Sequence, residues 1–157
     1  LALMQDGVAR HREVGAMVMV PAFLTRMAEV YQRLDRPAEG LGAAREALTV
    51  VQQSGQHYWE AEVHRVTGAL TTGDAESHAL HALKIARRQR ARWLELRAAS
   101  SLARLWAERG NVVDALALLG GVYAGFTEGF ETPDLRDAKT LLEGGREAVF
   151  ARGKSSK

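Results

Sequence analysis

Residues 27–48, MAEVYQRLDRPAEGLGAAREAL, return in diverged form at residues 102–123 as LARLWAERGNVVDALALLGGVY. Alignment places Ala28 over Ala103, Tyr31 over Trp106, Gly40 over Ala115, Ala44 over Leu119 and Ala47 over Val122, each pair 75 residues apart. A third copy lies between them, with Gly68 in the place of Ala28 and Ala75, Ala79 and Ala82 in those of Gly40, Ala44 and Ala47. The steps are 40 and then 35 at the first position, and 35 and then 40 at the last. A chain that repeats at this period is an array of like units, each burying its apolar stripe against its neighbours.

The units read as helix pairs. Leu24, Met27, Ala28, Tyr31 and Leu34 recur at three and four residues and mark a helix from about Ala22 to Leu34. Asp35 to Pro37 turns the chain, Leu41, Ala44, Ala47, Leu48 and Val51 mark the returning helix, and Gln53-Ser54-Gly55 ends it. The second unit starts at His57 or Tyr58, turns at Thr71 to Asp74 and returns from Ala75 to about Gln89. Gly68 to Ala75 is 7 residues, where Ala28 to Gly40 and Ala103 to Ala115 are 12, so the first helix of this unit is expected to end early. The third unit runs from about Ala91 to Arg109 and from Val112 to Gly125, with Gly110-Asn111 supplying a turn tolerant of positive φ. Thr132-Pro133-Asp134 reads as N-cap, first residue and first turn of a final helix through Leu142.

The expected organisation is one helical-repeat domain over 1–151. It comprises a half-repeat at 1–15, repeats at about 19–54, 57–89 and 91–125, and a capping helix at about 132–144, followed by a disordered tail at 152–157. LALMQDGVARHREVG at the start reads as the second helix of a repeat, and the chain opens without a methionine, so a fragment of a longer protein is expected.

Composition agrees with a helical array and narrows the function. Of the 157 residues 46% are hydrophobic, enough for a continuous core. The only prolines, Pro21, Pro37 and Pro133, all fall at helix starts, where the missing N–H is harmless. With no cysteine there is neither a disulfide framework nor thiol catalysis. The cytoplasm is the favoured compartment, since no run approaches the roughly 18 apolar residues of a membrane span and no signal-peptide pattern opens the chain. Twenty-one basic against 19 acidic residues leave a net charge of +2, so the sequence is a poor candidate for nucleic-acid binding.

The matched positions alternate small and aromatic residues, as closely crossing helices require: a small residue where they touch, a large one beside it. This grammar resembles the tetratricopeptide repeat, with Leu24, Met27, Ala28, Tyr31, Gly40, Ala44 and Ala47 in the family's consensus places in the first full unit. Ala99, Leu102, Ala103, Trp106, Ala115, Leu119 and Val122 fill them in the third. The fold class expected is therefore all-α, a tetratricopeptide-like α-solenoid of antiparallel helix pairs with a C-terminal capping helix. From Tyr58 to Leu142, the segments YWEAEVHRVTGAL, ALKIARRQRARWLELRAASSLARLWAERG and VYAGFTEGFETPDLRDAKTLLE resemble the C-terminal repeat region of a family of bacterial fusion proteins. These join a class III adenylate or guanylate cyclase, a signalling ATPase and a tetratricopeptide array. The resemblance implies a regulatory domain that binds protein or peptide, including upstream domains of its own chain.

In the repeat geometry that this resemblance implies, the first helix of each unit lines a concave groove. That surface would carry Glu29, Gln32 and Arg33, then Glu62 and Arg65, then Arg97, Ser100, Arg104 and Glu108. Forked guanidinium hydrogen bonds suit the carboxylates of an acidic peptide. Glu29 with Arg33 and Arg104 with Glu108 also read as i,i+4 pairs on a solvated helix face. Each of the histidine pairs, His78 with His81 and His57 with His64, could share a helical face. Without an HExxH pattern or a cysteine they make a weak zinc signal, and no metal or cofactor is expected. The basic run from Arg87 to Arg92 falls where one unit hands over to the next, and Trp93 beside it has the spacing of a core residue. Nothing supports catalysis in this chain: Gly120-Gly121 lies within a helix without a following lysine, and Glu60 and Glu62 fall on different helix faces.

The expected function is thus a non-catalytic interaction domain that recognises protein or peptide, with a cyclase or an ATPase elsewhere in the parent protein. The rival readings are a sensor that takes an anionic small molecule or nucleic acid on the groove arginines, and a structural dimerisation module that makes a homo-oligomer.

Overall fold

The computed structural model describes residues 1–71 and 73–155. Thr72, one residue of the short turn read from the sequence, lies outside the described residues, as do Ser156, Lys157 and the side chains of residue 150 and residues 152–155. Every regular element among the described residues is helical: α1 (Ala2–Glu13), α2 (Val20–Arg33), α3 (Pro37–Ser54), α4 (Glu60–Leu70), α5 (Ala75–Gln89), α6 (Arg92–Glu108), α7 (Val112–Tyr123) and α8 (Pro133–Ser155). Single 3-10 turns at Met17–Met19 and His57–Trp59 lead into α2 and α4. The chain forms two compact units, Leu1–Ile85 and Ala86–Lys157, with the boundary inside α5.

In the first unit α2 and α3 form a helical hairpin through Leu34 to Arg36, and α4 packs against both. Of the apolar period read for this helix, Leu24, Met27, Ala28 and Tyr31 are buried, while Leu34, just past the end of α2, is 53% exposed. Ala28, Ala44 and Ala47 are among the least exposed residues of the chain, so the small matched positions mark the places where helices cross most closely. Gly40 shows how close: a Cβ there would lie 2.9 Å from a Leu70 methyl and 3.2 Å from the Ala28 carbonyl oxygen. Pro21 and Pro37 occupy the first turns of α2 and α3. The middle unit has the shortened first helix expected of it, with 11 residues in α4 against 14 in α2 and 17 in α6.

One device ends four of these helices. Gly15, Asp35, Arg90 and Gly110 take positive φ, and each following N–H donates to the carbonyl five residues back: Ala16 to His11, Arg36 to Tyr31, Ala91 to Ala86 and Asn111 to Trp106, at 2.8–2.9 Å. The bond satisfies a carbonyl that the helix end leaves open.

The second unit repeats the arrangement of the first. α6 and α7 form the hairpin, turning at Gly110 as the sequence predicts, and α8 packs against both. The 75-residue offset therefore runs past the hairpin and lays Glu60–Leu70 over residues 135–145. Knob and hole exchange along it. Leu70 sits beside Gly40 in the first unit; in the second, Leu116 sits beside Gly145, 2.8 Å from where a Cβ would stand. The last helix thus has the packing role of α4. It runs to Ser155, beyond the expected end near 144 and into the segment read as a disordered tail. Pro133 and Asp134 stand in its first turn as expected, and the Thr132 hydroxyl donates back to the Gly129 carbonyl at 2.8 Å. Trp93 is not the core residue its spacing suggests: it is 36% exposed, because the apolar face of α6 is carried by Leu94, Leu96, Ala98, Ala99, Leu102 and Ala103.

Candidate functional site

The nine side chains assigned to the groove have different fates. On α2, Gln32 and Arg33 are exposed, and the Gln32 amide donates to the Ala69 carbonyl at 3.0 Å. Glu29 is drawn inward, paired with Arg26 at 2.7 Å and with Arg65 of α4. Arg65 meets Glu62 through two parallel hydrogen bonds, Nε to Oε2 at 2.9 Å and Nη2 to Oε1 at 2.8 Å. The side chains of Arg65, Glu29 and Glu62 are 13%, 14% and 4% exposed. Burial by itself would lower the Arg65 guanidinium's pKa, but the hydrogen bond and charge of Glu62, with those of Glu29, hold it above the usual value. Glu62 and Arg65 therefore belong to a buried ion-pair cluster joining α2 to α4, and the open face assigned to them from the sequence is absent. The reason is register: the face of α4 that carries them turns toward α2.

On α6, Arg97 is likewise occupied. Its Nη1 donates to Asp134 of α8 at 2.9 Å, and its guanidinium lies 5.0 Å over the Trp93 ring, whose indole N–H donates to the same carboxylate. Ser100 is 7% exposed, and its hydroxyl oxygen has no hydrogen-bond partner among the described residues. Arg104 and Glu108 remain on the exposed face. Among the described residues neither Arg33 nor Arg104 forms an ion pair, so of the four arginines assigned to the groove these two are left for a ligand.

Two arginines of the basic run are held by bonds within the second unit. Arg87 pairs with Glu95 at 2.8 Å, and Arg92 donates to the Gly125 carbonyl while lying 5.5 Å over the Phe126 ring. These residues border a cavity of about 400 Å3 along α6 and α7.

A cluster that the sequence pairs only in part stands between α4 and α5. His64 joins His78 and His81: the Nδ1 atoms of His64 and His78 are 3.4 Å apart, and the His64 and His81 rings meet edge to face at 4.4 Å. His57 instead pairs with Glu60 at 3.1 Å. Among the described residues no group of three His, Cys, Asp or Glu side chains is placed to hold a metal ion. Burial, then the charges of His81 and His78, lower the His64 pKa to about 4 against the opposing pull of Glu60. The three histidines and Lys84 line a cavity of about 390 Å3.

Folded His64 binds a proton less readily than the unfolded residue, whose pKa is about 6.5, so its neutral packing contributes fully above that pH and is lost as pH falls toward about 4. With discount for its partial exposure, the first unit loses about 1–2 kcal/mol between pH 7.5 and 4.5. Urea unfolding at the two pH values measures this, and His64→Asn is expected to flatten the difference. An unchanged pH dependence in that variant would exclude the cluster as its source.

Among the described residues no helix is long and apolar enough to cross a membrane. Comparison of the chain with protein-family models, with curated proteins and with solved structures finds no match.

Proposed function

We propose that the chain is a tetratricopeptide-like, non-catalytic interaction domain of a larger bacterial signalling protein, recognising a protein or peptide on the exposed face of the first helix of each hairpin. The observation that carries this reading is the recurrence, 75 residues apart, of one three-helix arrangement whose first helix keeps charged residues on its outer face. These are Arg33 on α2 and Arg104 with Glu108 on α6, while Arg65 and Arg97 serve internal ion pairs. Helical-repeat proteins recognise partners through a few specific contacts on such helix faces. The resemblance of Tyr58 to Leu142 to the repeat region of cyclase and ATPase fusion proteins makes those upstream domains the first partners to test.

The test is crosslinking and pull-down with cyclase and ATPase domains of that architecture, in both nucleotide states. Capture that survives about 0.5 M salt is expected, because a peptide anchored by apolar contacts resists screening. Charge reversal in an Arg33→Glu, Arg104→Glu variant is expected to weaken it by about tenfold. No contact in either nucleotide state would remove the intramolecular version. Binding that falls steeply with salt would point to a polyanion instead.

A further inference from the structure

The 75-residue offset exposes a difference between two equivalent places. In the first unit the space beside α2 and α4 is filled by the Arg65 guanidinium, clamped by Glu62 and Glu29. At the matching positions of the second unit stand Arg104 for Glu29, Asp137 for Glu62 and Thr140 for Arg65. The long side chain that filled the first place is gone, and the cation has moved to the opposite helix. What remains is a cleft of about 540 Å3 along α6 and α8, bordered by Arg104, Asp137 and Thr140 over Val112, Leu141 and Gly144. That volume is within the range of ligand pockets.

The lining defines the ligand. Neither Arg104 nor Asp137 is in an ion pair among the described residues. A simple anion would meet Arg104 but be repelled by Asp137, and a simple cation would meet the reverse. A ligand carrying both charges and an apolar body satisfies the whole cleft. The Thr140 hydroxyl donates its proton to the Arg136 carbonyl at 3.0 Å, which leaves its oxygen to accept. We propose that this cleft binds a free α-amino acid with an apolar side chain. Its carboxylate accepts from the Arg104 guanidinium, its ammonium group donates to Asp137 and the Thr140 oxygen, and its side chain lies on Val112 and Leu141. Such a ligand goes beyond protein recognition on the outer helix faces; it shares Arg104 with that surface, while Asp137 and Gly144 belong to the cleft alone.

Gly144 supplies a test that spares the fold. A Cβ built there meets nothing within 4 Å, and the residue lines the cleft, so a larger side chain is expected to occupy the ligand's space at little cost to packing. Calorimetric titration of the 157-residue chain with L-leucine and L-phenylalanine is expected to show saturable 1:1 binding with Kd below about 10 mM. 4-Methylpentanoate, which lacks the amine, and 3-methylbutylamine, which lacks the carboxylate, are each expected to bind at least about tenfold more weakly. Arg104→Gln and Asp137→Asn should each weaken L-leucine by a similar factor, and Gly144→Leu should abolish binding while melting no lower than the parent chain. No saturable binding by either amino acid would overturn the assignment. So would equal affinity for 4-methylpentanoate, or unchanged affinity in all three variants.

Discussion

Replacing Arg65 with alanine is expected to destabilise the first unit by about 3 kcal/mol, at the lower end of what the breaking of a buried ion pair costs. The substitution deletes the guanidinium that donates twice to Glu62 and once more to Glu29. Glu29 retains Arg26, 2.7 Å away and half exposed, but Glu62, with a side chain only 4% exposed, loses the guanidinium that holds both its oxygens. The cost comes mainly from the weakened hold on that buried charge, and a paired replacement should show it. Arg65→Met with Glu62→Leu keeps volume while removing both charges, and is expected to recover most of the lost stability, since apolar substitutes for buried ion pairs are often neutral or better. Urea unfolding of the two variants decides the matter, with each unit's transition followed separately because two compact units need not unfold as one. A loss below about 1 kcal/mol in Arg65→Ala would mean that water already screens the cluster.

The other large effect is expected at Gly68→Leu, near the end of the shortened helix α4. A Cβ at this position would stand 2.9 Å from the His78 Cβ and 3.0 Å from the Ala75 carbonyl oxygen. Both neighbours are fixed to or part of the backbone of α5, so the clash cannot be relieved by rotating a side chain. The first turn of α5 must move away, and the His64, His78 and His81 cluster moves with it. The expected loss is about 3 kcal/mol, the upper part of the usual overpacking range. Gly68→Ala carries the same clash without the extra volume. It should lose about 1 kcal/mol even though alanine is the better helix former by about that much. Gly42 in α3 is the internal control: a Cβ there meets nothing within 4 Å, so Gly42→Ala should gain about 0.5–1 kcal/mol. Thermal melting of the three variants distinguishes them. A stabilised Gly68→Ala would show that α4 and α5 do not approach as closely as described.

Part of this molecule was readable before any tertiary contact was known, and for a definable reason. Ala28, Ala44, Ala47, Leu24, Met27 and Tyr31 are buried at the places their spacing predicts, because the period of an apolar stripe belongs to the helix that carries it. Helix ends were equally local: Gly110 takes the positive φ that the Gly110-Asn111 pair suggests, and Gly55 closes the helix that Gln53-Ser54-Gly55 is read to end. The short α4 followed from a count of residues between matched small positions. Trp93 was misread because one residue at an edge of the stripe can face either way, and only its bond to Asp134 across to α8 decides which.

The candidate site was less legible. Glu29, Glu62 and Arg65 have the composition of an outer face and form an inner cluster, because the rotation of α4 about its axis against α2 is set by packing between helices whose contact here, Glu29 with Arg65, spans 36 residues. The likeness of α8 to α4 was hidden for a related reason. Its sequence shares few residue types with α4, and the equivalence lies in the exchange of knob and hole between Leu70 beside Gly40 and Leu116 beside Gly145. Periodicity within a helix sets which residues can share a face, so the sequence alone established the helices, their breaks and the repeat that begins at Met27. Which face meets which neighbour depends on side chains supplied by other helices. Tertiary packing alone therefore buried Arg65, gathered the three histidines and left open the cleft beside Arg104.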